Sequence, residues 1–397
     1  MKMFVVAVAL SCASAGLAHA ADPLRIAVLD DQAGPYSDAT GPGATLATRM
    51  AVEDFGGTVL GRKVEVLAAD AQNKSDVASQ LAGQFIDQQG VSMIVGGAGT
   101  STALAISAVA NTKKRPFFAT DATTPELTGR LCNPYTVQWT YDSDALANGT
   151  GLTLVNAGAK SWYFITVDLS GGTLLQNAMS RVVEANGGKV LGSTRLPLGT
   201  ADFSSALLAA QASGAQAIGL ANAGADEVNA IKQAAEFGIT SRGVKLAALI
   251  GTVSDIAAVG LDTAQGLVVT EAFYWDLNDG TRDWSRRWSA QMGGRMPNAL
   301  QAGYYASTLH YLQAVQAAGT DDADKVMAEL KRAPLDDKLF GRVQVRADGK
   351  AVHDMHVFQV KAPKDSHGPY DLYTLLRTVP ADQAYGPLAQ SDCALAR

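Results

Sequence analysis

The amino-acid sequence predicts an α/β fold made of two doubly wound lobes, each an open parallel sheet with helices on both faces. Short apolar strands alternate with amphipathic helices from residue 24 onward, which is typical of a parallel sheet. The alternation restarts at residue 161, and residues 52–61 (VEDFGGTVLG) are echoed by residues 183–192 (VEANGGKVLG). A length of 397 residues also suits about two domains.

The chain begins with a predicted signal peptide over residues 1–20. Lys2 precedes an apolar run, and Ala18-His19-Ala20 is a small-x-small cleavage site, so we expect cleavage after Ala20 and a periplasmic location. A lipoprotein with Cys12 as acceptor is the alternative, but the preceding residues are out of register for a lipobox. No later apolar run approaches the roughly 20 residues of a membrane span, so we expect no membrane insertion.

The net charge bears on the possible partners of the protein, and its cysteines bear on a possible disulfide bond. The formal net charge is −6 and basic clusters are lacking, which argues against nucleic acid or anionic lipid as a partner. Beyond the signal peptide only Cys132 and Cys393 remain, an even count in an oxidising compartment. We expect a disulfide that ties the C-terminus to the first lobe; two buried free thiols are the alternative.

The first lobe is predicted from a regular alternation. Strands are expected at residues 24–29, 64–69, 92–95 and 116–120, with helices at 44–55, at 76–88 and up to residue 111.

The second series is predicted from residue 161. Strands are expected at 161–167, 217–221, 246–250 and 266–270, a buried helix at 300–317, and sheet-edge strands at 343–346 and 356–360.

Several crossings between the lobes are predicted, because no low-complexity linker separates them. We place these crossings near residues 139–142, 270–272 and 340–349. The expected boundaries are 21–141 and 271–345 for lobe 1, 142–270 and 346–380 for lobe 2, and 381–397 for a tail that returns to lobe 1.

The ligand cleft is predicted from the strand ends, since open α/β sheets bind ligands beyond the carboxyl ends of their strands. The loops expected to line it are 30–38, 97–102, 121–125, 168–172, 221–226, 251–255 and 271–275.

Two of these loops carry small hydroxylated residues at a helix start. Residues 94–102 (IVGGAGTST) and 117–126 (FFATDATTPE) each run from an apolar strand into threonines and free backbone N–H groups. Helix N-termini stabilise anions without lysine or arginine, so this pair predicts a carboxylate site. The alternative is that Thr100 and Thr123 are N-caps, Thr123 forming a capping box with Glu126.

The order and spacing of four segments resemble a known family. They are Gly34-Pro35-Tyr36-Ser37, residues 51–54 with Leu60-Gly61, residues 123–128, and Asn222-Ala223-Gly224. Together they resemble the type I periplasmic solute-binding proteins of ABC importers, which include the leucine/isoleucine/valine receptors. The resemblance implies Rossmann-like lobes on a multi-crossing hinge, a small carboxylate ligand, a membrane permease as partner, a monomer, and neither cofactor nor metal.

The resemblance also implies which residues bind the ligand. The carboxylate would be held by the side chains of Thr100 and Thr123 and by backbone donors at Ser101, Asp121 and Thr123. Closure of the second lobe would add its own contacts. The full expected set is Tyr36, Ala98, Gly99, Thr100, Ser101, Asp121, Ala122, Thr123, Ser170, Asn222, Gly251, Phe273 and Tyr274.

The ligand class is interpreted from departures from the amino-acid receptors. In those receptors, an acidic residue in the loop after the strand ending at Ile250 pairs with the ligand's ammonium group. This chain has Val253 at the aligned position, and Asp255 comes two positions later. The loss of the acid disfavours α-amino acids as ligands, although Asp226 or Glu271 could take its place. The loop 168–172 is small, and Tyr36, Phe273 and Tyr274 are expected to supply aromatic walls. The chain therefore most resembles receptors for aromatic carboxylates, with branched-chain or other amino acids as the alternative.

Enzymatic functions are disfavoured by the motifs. Residues 97–102 lack the third glycine of a dinucleotide fingerprint, and 99–103 miss the last glycine of a nucleophile elbow. His353 and His356 have a metal-site spacing, but on a strand they would point to opposite faces. An extracytoplasmic enzyme and a ligand sensor remain the other function classes.

Overall fold

The computed structural model describes residue 1 and residues 22–397, so the predicted cleavage site lies outside the described residues. The chain folds into two α/β lobes, each built on an open sheet, and the predicted fold class is confirmed. Residues 335–352 contribute the three short strands of a small third sheet.

The first sheet has six strands in the order β2-β3-β1-β4-β5-β6. All neighbours are parallel except the short β2, which is antiparallel to β3. The strands are β1 (Leu24–Asp30), β2 (Thr58–Val59), β3 (Arg62–Asp70), β4 (Val91–Gly96), β5 (Phe117–Ala119) and β6 (Thr136–Gln138).

The second sheet begins with five parallel strands. They are β7 (Ser161–Val167), β8 (Lys189–Leu196), β9 (Ala217–Ala221), β10 (Lys245–Ala248) and β11 (Val268–Glu271). Three strands of a separate antiparallel sheet follow: β12 (Leu335–Asp337), β13 (Gly341–Val345) and β14 (Ala351–Val352). The chain then returns to the second sheet as β15 (Met355–Val360) and β16 (Tyr373–Val379), both antiparallel additions.

The late strands differ from the expected sheet edge. Residues 343–345 belong to the small separate sheet, and β15 is covered by β16, which forms the edge. The prediction failed because β16 carries exposed leucines, Leu375 and Leu376, instead of a clean apolar alternation.

The two large sheets repeat one topology. The order β3-β1-β4-β5-β6 in the first corresponds to β8-β7-β9-β10-β11 in the second. The echoed sequence segments occupy equivalent places, each turning from a helix into the strand that pairs beside the first one. Gly56 and Gly187 lie in these turns with φ of 107° and 77°, a conformation that favours glycine.

The helices cover the faces of the sheets, and some of them pack against helices from distant parts of the chain. α12 packs along α1, which brings residues 299–318 back to the first lobe. The helices are α1 (Gly41–Phe55), α2 (Ser75–Gln89), α3 (Thr100–Thr112), α4 (Ser143–Leu146), α5 (Leu152–Asn156), α6 (Ser170–Ala185), α7 (Ser204–Ala212), α8 (Gly224–Glu236), α9 (Val253–Val259), α10 (Leu261–Ala264), α11 (Asp279–Gln291), α12 (Ala299–Ala318), α13 (Ala323–Arg332) and α14 (Ala381–Tyr385).

The C-terminal tail is joined to the first lobe. Cys393 forms a disulfide bond with Cys132, with the two Cα atoms 5.7 Å apart. Within the described residues, none of the helices combines the length and the apolar character that crossing a membrane requires.

Candidate ligand-binding cleft

A cavity of about 220 Å³ lies between the two lobes, at the carboxyl ends of their strands. Both lobes contribute to its wall. The lining residues are Tyr36, Ala39, Asn73, Gly99, Thr100, Ser101, Asp121, Thr123, Tyr141, Val167, Leu169, Ser170, Gly171, Gly172, Asn222, Ala223, Gly224, Ile250, Thr252, Asp255 and Leu300.

Four helices begin at this cavity. α3 starts at Thr100 in the first lobe, and α6, α8 and α9 start at Ser170, Gly224 and Val253 in the second. Each N-terminus carries unsatisfied N–H groups and a partial positive charge. Lysine, arginine and histidine are absent from the lining within the described part of the chain. Backbone dipoles are therefore the cavity's main source of positive potential.

The two threonines of the first lobe are free to meet a ligand. Gly99, and not Thr100, occupies the N-cap of α3, and the Thr100 hydroxyl has no partner among the described residues although it is buried. The predicted capping box of Thr123 is wrong, because Thr124 accepts the bond from the Glu126 N–H at 3.2 Å. The capping alternative therefore accounts for neither threonine.

Glycine at position 99 lets the loop after β4 turn into α3. Its φ is 85°, and a Cβ there would lie 2.8 Å from the Asn73 Oδ1 atom. Its N–H donates to the Asp121 backbone carbonyl at 3.1 Å, which ties together the loops after β4 and β5. The carboxylate-binding groups predicted on these loops are thus brought side by side.

Asp121 contributes a partly buried carboxyl group to the cavity wall in the first lobe. The Tyr141 hydroxyl donates to its Oδ1 atom at 3.2 Å. Burial raises the pKa of Asp121 to about 8. The hydrogen bond from Tyr141 lowers this pKa, whereas the nearby carboxylates of Asp30, Asp31 and Asp255 raise it further. At neutral pH this carboxyl keeps its proton, so it is a neutral group that can donate.

The second lobe presents two acceptors. Thr252 is the N-cap of α9 and Asp255 completes its capping box: the Asp255 Oδ2 atom accepts the Thr252 N–H at 2.9 Å and the Thr252 hydroxyl at 2.7 Å. Burial raises the pKa of Asp255, opposed by these two bonds. Asn222 is 2 % exposed, and its Oδ1 atom has no hydrogen-bond partner among the described residues.

The lobes touch across the cavity, so the cleft is closed. A Cβ atom at Gly171 would lie 3.0 Å from Thr100 Oγ1 and 3.4 Å from Thr123 Oγ1. The amide of Asn298, at the start of α12, donates to the Ala39 carbonyl at 3.1 Å and to the Ser254 hydroxyl at 3.3 Å. The Ala39 bond lies within the first lobe, whereas the contacts made by Gly171 and Ser254 join the two lobes. These interlobe contacts define the arrangement that a bound ligand would have to stabilise.

The structure brings eight of the predicted site residues to the cavity wall. They are Tyr36, Gly99, Thr100, Ser101, Asp121, Thr123, Ser170 and Asn222. Ala98, Ala122 and Gly251 lie in the same loops, but they are buried and do not line the cavity.

The predicted aromatic wall of Phe273 and Tyr274 is not present in the cleft. Phe273 is fully buried and meets Trp284 edge-on, with ring centroids 5.6 Å apart. Tyr274 lies in the core of the second lobe, 4.9 Å from the Tyr373 ring, and donates its hydroxyl to the Tyr370 carbonyl. Both rings turn inward because later segments of the chain cover them.

Neither of the two acids expected as possible substitutes, Asp226 and Glu271, lines the cavity, whereas Asp255 does. Asp226 instead accepts the Gly199 N–H at 3.1 Å, and Glu271 is buried away from the lining. Val253 is packed in the core of the second lobe.

Six lining residues lie outside the loops that the sequence reasoning expected to line the cleft: Ala39, Asn73, Tyr141, Val167, Ile250 and Leu300. Three of them directly adjoin expected loops, and the other three were missed. Asn73 follows β3, whose carboxyl end was not counted among the cleft loops although it lies at the same sheet edge. Tyr141 lies at the predicted lobe crossing, and Leu300 opens α12. The crossing segments were a usable signal, because a hinge next to a cleft contributes to its wall.

Similarity to known proteins identifies the family of this chain. The family model described as periplasmic binding protein matches residues 23–367. The chain belongs to the periplasmic binding protein family. The type I, leucine/isoleucine/valine-receptor-like resemblance is thereby confirmed.

Solved structures and relatives agree with this membership. A periplasmic binding protein from Burkholderia mallei is 46% identical, with a TM-score of 0.92, over 95% of this chain and 100% of that one. A branched chain amino acid ABC transporter periplasmic ligand-binding protein from Burkholderia xenovorans LB400 is 37% identical, with a TM-score of 0.86, over 94% and 100%. Leu/Ile/Val-binding protein homolog 6 of Brucella melitensis is 24% identical over 273 residues, 68% of this chain and 69% of the relative.

The family assigns a general role. Its members are solute-binding proteins of transporters and not enzymes, and this chain is a substrate-binding protein of the ABC transporter type.

Proposed function

We propose that this periplasmic binding protein captures a small aromatic carboxylate in the cleft and delivers it to the permease of an ABC importer. The observation that carries the proposal is that the helix starts at Thr100 and Ser170 converge on one cavity, whose lining contains no cationic side chain among the described residues. Carboxylates are stabilised by such backbone N–H groups and by neighbouring hydroxyls.

The carboxylate would dock on the first lobe. Its oxygens would accept hydrogen bonds from the Thr100 and Thr123 hydroxyls and from the first N–H groups of α3. The Thr100 hydroxyl has no other partner among the described residues. Asp121 does not oppose this anion at neutral pH, because its carboxyl holds a proton up to a pKa of about 8. The second lobe then closes over the ligand with residues 169–172.

The remainder of the cavity suits a small ring. Tyr36 and Tyr141 supply aromatic surface, while Ile250 and Leu300 supply aliphatic surface. A volume of about 220 Å³ is below the roughly 300–1,000 Å³ of drug-sized ligand sites, so the ligand is small. Proteins of this fold from Rhodopseudomonas palustris, about 21% identical, were solved with 3,4-dihydroxybenzoic acid and with 4-hydroxybenzoate. At that identity the similarity concerns the fold alone, so the proposed ligand class is supported by the residues that line the cavity.

A branched-chain or other amino acid is the second candidate. Asp121 and Asp255 face the same cavity, and once ionised either could pair with an ammonium group. The relative from Burkholderia xenovorans, 37% identical, is named for branched chain amino acids.

A thermal-shift panel followed by calorimetry tests the proposal. Benzoate and 4-hydroxybenzoate are compared with leucine and valine, because a ligand that binds only the folded state raises the melting temperature. Stabilisation by leucine or valine, and not by either aromatic acid, would replace the aromatic proposal by the amino-acid one.

The Thr123→Val variant tests the carboxylate site directly. Losing one hydrogen bond to a charged group costs about 1.5–3 kcal/mol, so affinity should fall roughly 10- to 150-fold without loss of fold. Thr112→Val is the matched control, since Thr112 is exposed at the far end of α3 and donates only to the Ala108 carbonyl. Unchanged affinity in Thr123→Val would refute the site.

Export and processing complete the proposal. We expect the protein to lose residues 1–20, to work as a periplasmic monomer with the Cys132–Cys393 bond formed, and to be recognised by the permease in the closed form. We also propose the lobe boundaries inferred from the sequence, with residues 21–141 and 271–345 in lobe 1, residues 142–270 and 346–380 in lobe 2, and residues 381–397 as the returning tail. N-terminal sequencing of the secreted protein checks the cleavage after Ala20.

A further inference from the structure

The C-terminal tail connects the second lobe back to the first. The chain leaves the second sheet at Val379, the end of β16, and continues as α14. Residues 386–392 then lead to Cys393, whose disulfide partner Cys132 lies between β5 and β6 of the first sheet. The tail is therefore a further connection between the lobes, in addition to the passages of the chain that follow β6, β11 and β14.

One end of the tail is attached to the second lobe. α14 packs against residues 143–151, which in turn pack against α6, β11 and β15. The side-chain amide of Asn148 donates to the Ala384 carbonyl at 2.9 Å, and the Ala381 N–H donates to Asp354 Oδ1 at 3.1 Å. We expect α14 to move with the second lobe because of these contacts.

The other end is attached to the first lobe by a covalent bond. Besides the Cys132–Cys393 disulfide, the Ser391 hydroxyl donates to the Thr128 carbonyl at 3.1 Å. Thr128 and Cys132 both belong to the segment between β5 and β6. A chain terminus is usually poorly ordered unless it is tied down, so the disulfide decides whether this end stays in place.

The tail spans a gap between the lobes. A cavity of about 180 Å³ is lined by Thr128 and Gly129 of the first lobe, by Asp144 at the start of α4, and by Gly386 and Pro387 of the tail. The two attachment points lie on different lobes on either side of this gap. A rotation of one lobe against the other therefore changes the distance that the tail must span.

The tail can lengthen only a little. Between the attachment points, residues Leu388–Gln390 form a 3₁₀ turn. Such a turn rises about 2.0 Å per residue and an extended chain about 3.3 Å, so unwinding these three residues would add about 4 Å. The tail thus permits a small separation of its attachment points and resists a larger one.

We infer that residues 386–393 act as a strap that limits how far the cleft opens and so raises ligand affinity. The closed arrangement holds the strap with all of these bonds formed, so the restriction falls on the open arrangements. A crosslink acts mainly by reducing the conformations open to the less constrained state. Restricting the open state shifts the equilibrium toward the closed state, and a ligand that binds the closed state gains affinity.

Removal of the disulfide tests the strap. The double variant Cys132→Ser, Cys393→Ser leaves no free thiol at either position. Small-angle scattering of the ligand-free protein should give a larger radius of gyration for this variant than for wild type, and the two should coincide when saturated with ligand. Calorimetry with the tightest ligand of the thermal-shift panel should show about fivefold weaker binding, at the low end of conformational coupling.

Two further variants separate the strap from general stability. Leu207→Ala removes a buried side chain from α7, which packs on β7 and β8, so it should lower the melting temperature without changing affinity. An insertion of three glycines after Pro387 keeps the disulfide but adds about 10 Å of reach. This longer strap should reproduce the weaker binding and the larger ligand-free radius of gyration.

The outcomes distinguish this inference from the proposed function, on which it rests for the site of binding but not for the class of ligand. If the insertion variant keeps the affinity and dimensions of wild type, the strap is overturned, whatever the double variant does. Equal weakening in Leu207→Ala would assign the effect to stability and overturn it as well. If no compound of the panel binds, the proposed function fails, and the scattering of the ligand-free proteins still decides the strap.

Discussion

Replacement of Gly171 by alanine should block closure of the cleft without harming the fold. The added Cβ would lie 3.0 Å from Thr100 Oγ1 and 3.4 Å from Thr123 Oγ1, atoms of the opposite lobe. The optimal separation of nonbonded carbon atoms is about 3.5–4.0 Å, so the closed state must give way by several tenths of an ångström. In an open cleft the methyl group meets solvent.

The size of the effect follows from the overlap. Overpacking a close contact costs about 1–3 kcal/mol, here only in the closed state. Because ligand affinity includes the free energy of closing, Gly171→Ala should bind about 5- to 150-fold more weakly. The melting temperature of the ligand-free protein should stay within about one degree of wild type, since all three nearest atoms belong to the other lobe.

Two further glycine variants serve as controls. Gly172→Ala places its Cβ 2.5 Å from the Val167 carbonyl of its own lobe, so it should lower the melting temperature itself. Gly83→Ala lies within α2 with no atom within 4 Å and should leave affinity unchanged. Calorimetry with the tightest ligand of the panel and thermal unfolding provide both readouts. If Gly171→Ala bound ligand with wild-type affinity, the closed cleft with Gly171 against Thr100 would not be the state that binds the ligand.

Three other predictions concern protons and the crosslink. Carboxylate affinity should fall as pH rises from 7 to 9, by up to about tenfold per pH unit, since Asp121 ionises at a pKa of about 8; Asp121→Asn should flatten this profile in calorimetry. Burial raises the pKa of Glu271 from 4.5 to about 8, so the folded state keeps a proton that the unfolded state has lost, and stability declines as pH rises toward 8. Glu271→Gln should therefore raise the melting temperature by a few degrees at pH 8.5 and much less at pH 4.5; equal shifts at both values would contradict this reasoning. The Cys393→Ser variant should unfold with about 2–4 kcal/mol less stability in denaturant titrations, and the oxidised wild type should show no reactive thiol at Cys132 or Cys393.

Local sequence patterns determined the scaffold and one end of the cleft. Strands β1, β7 and β9 were predicted within a residue of their observed bounds, because short apolar runs between turn residues are a local signal. The carboxylate-binding candidates Thr100 and Thr123 followed from the same logic, since strand ends and helix starts are adjacent in the chain and also in space.

Tertiary packing alone decided which side chains face the ligand. Phe273 and Tyr274 follow a cleft strand, yet Trp284 and Tyr373 draw their rings into the two lobes' cores, whereas Tyr141 lines the cavity from the hinge. These contacts join residues up to about a hundred positions apart, and no local pattern encodes them. The choice of Thr124 as the cap depends in the same way on where distant loops meet. So does the Asn222 Oδ1 atom, which has no hydrogen-bond partner among the described residues, because a hydrogen bond forms only where both partners are brought together.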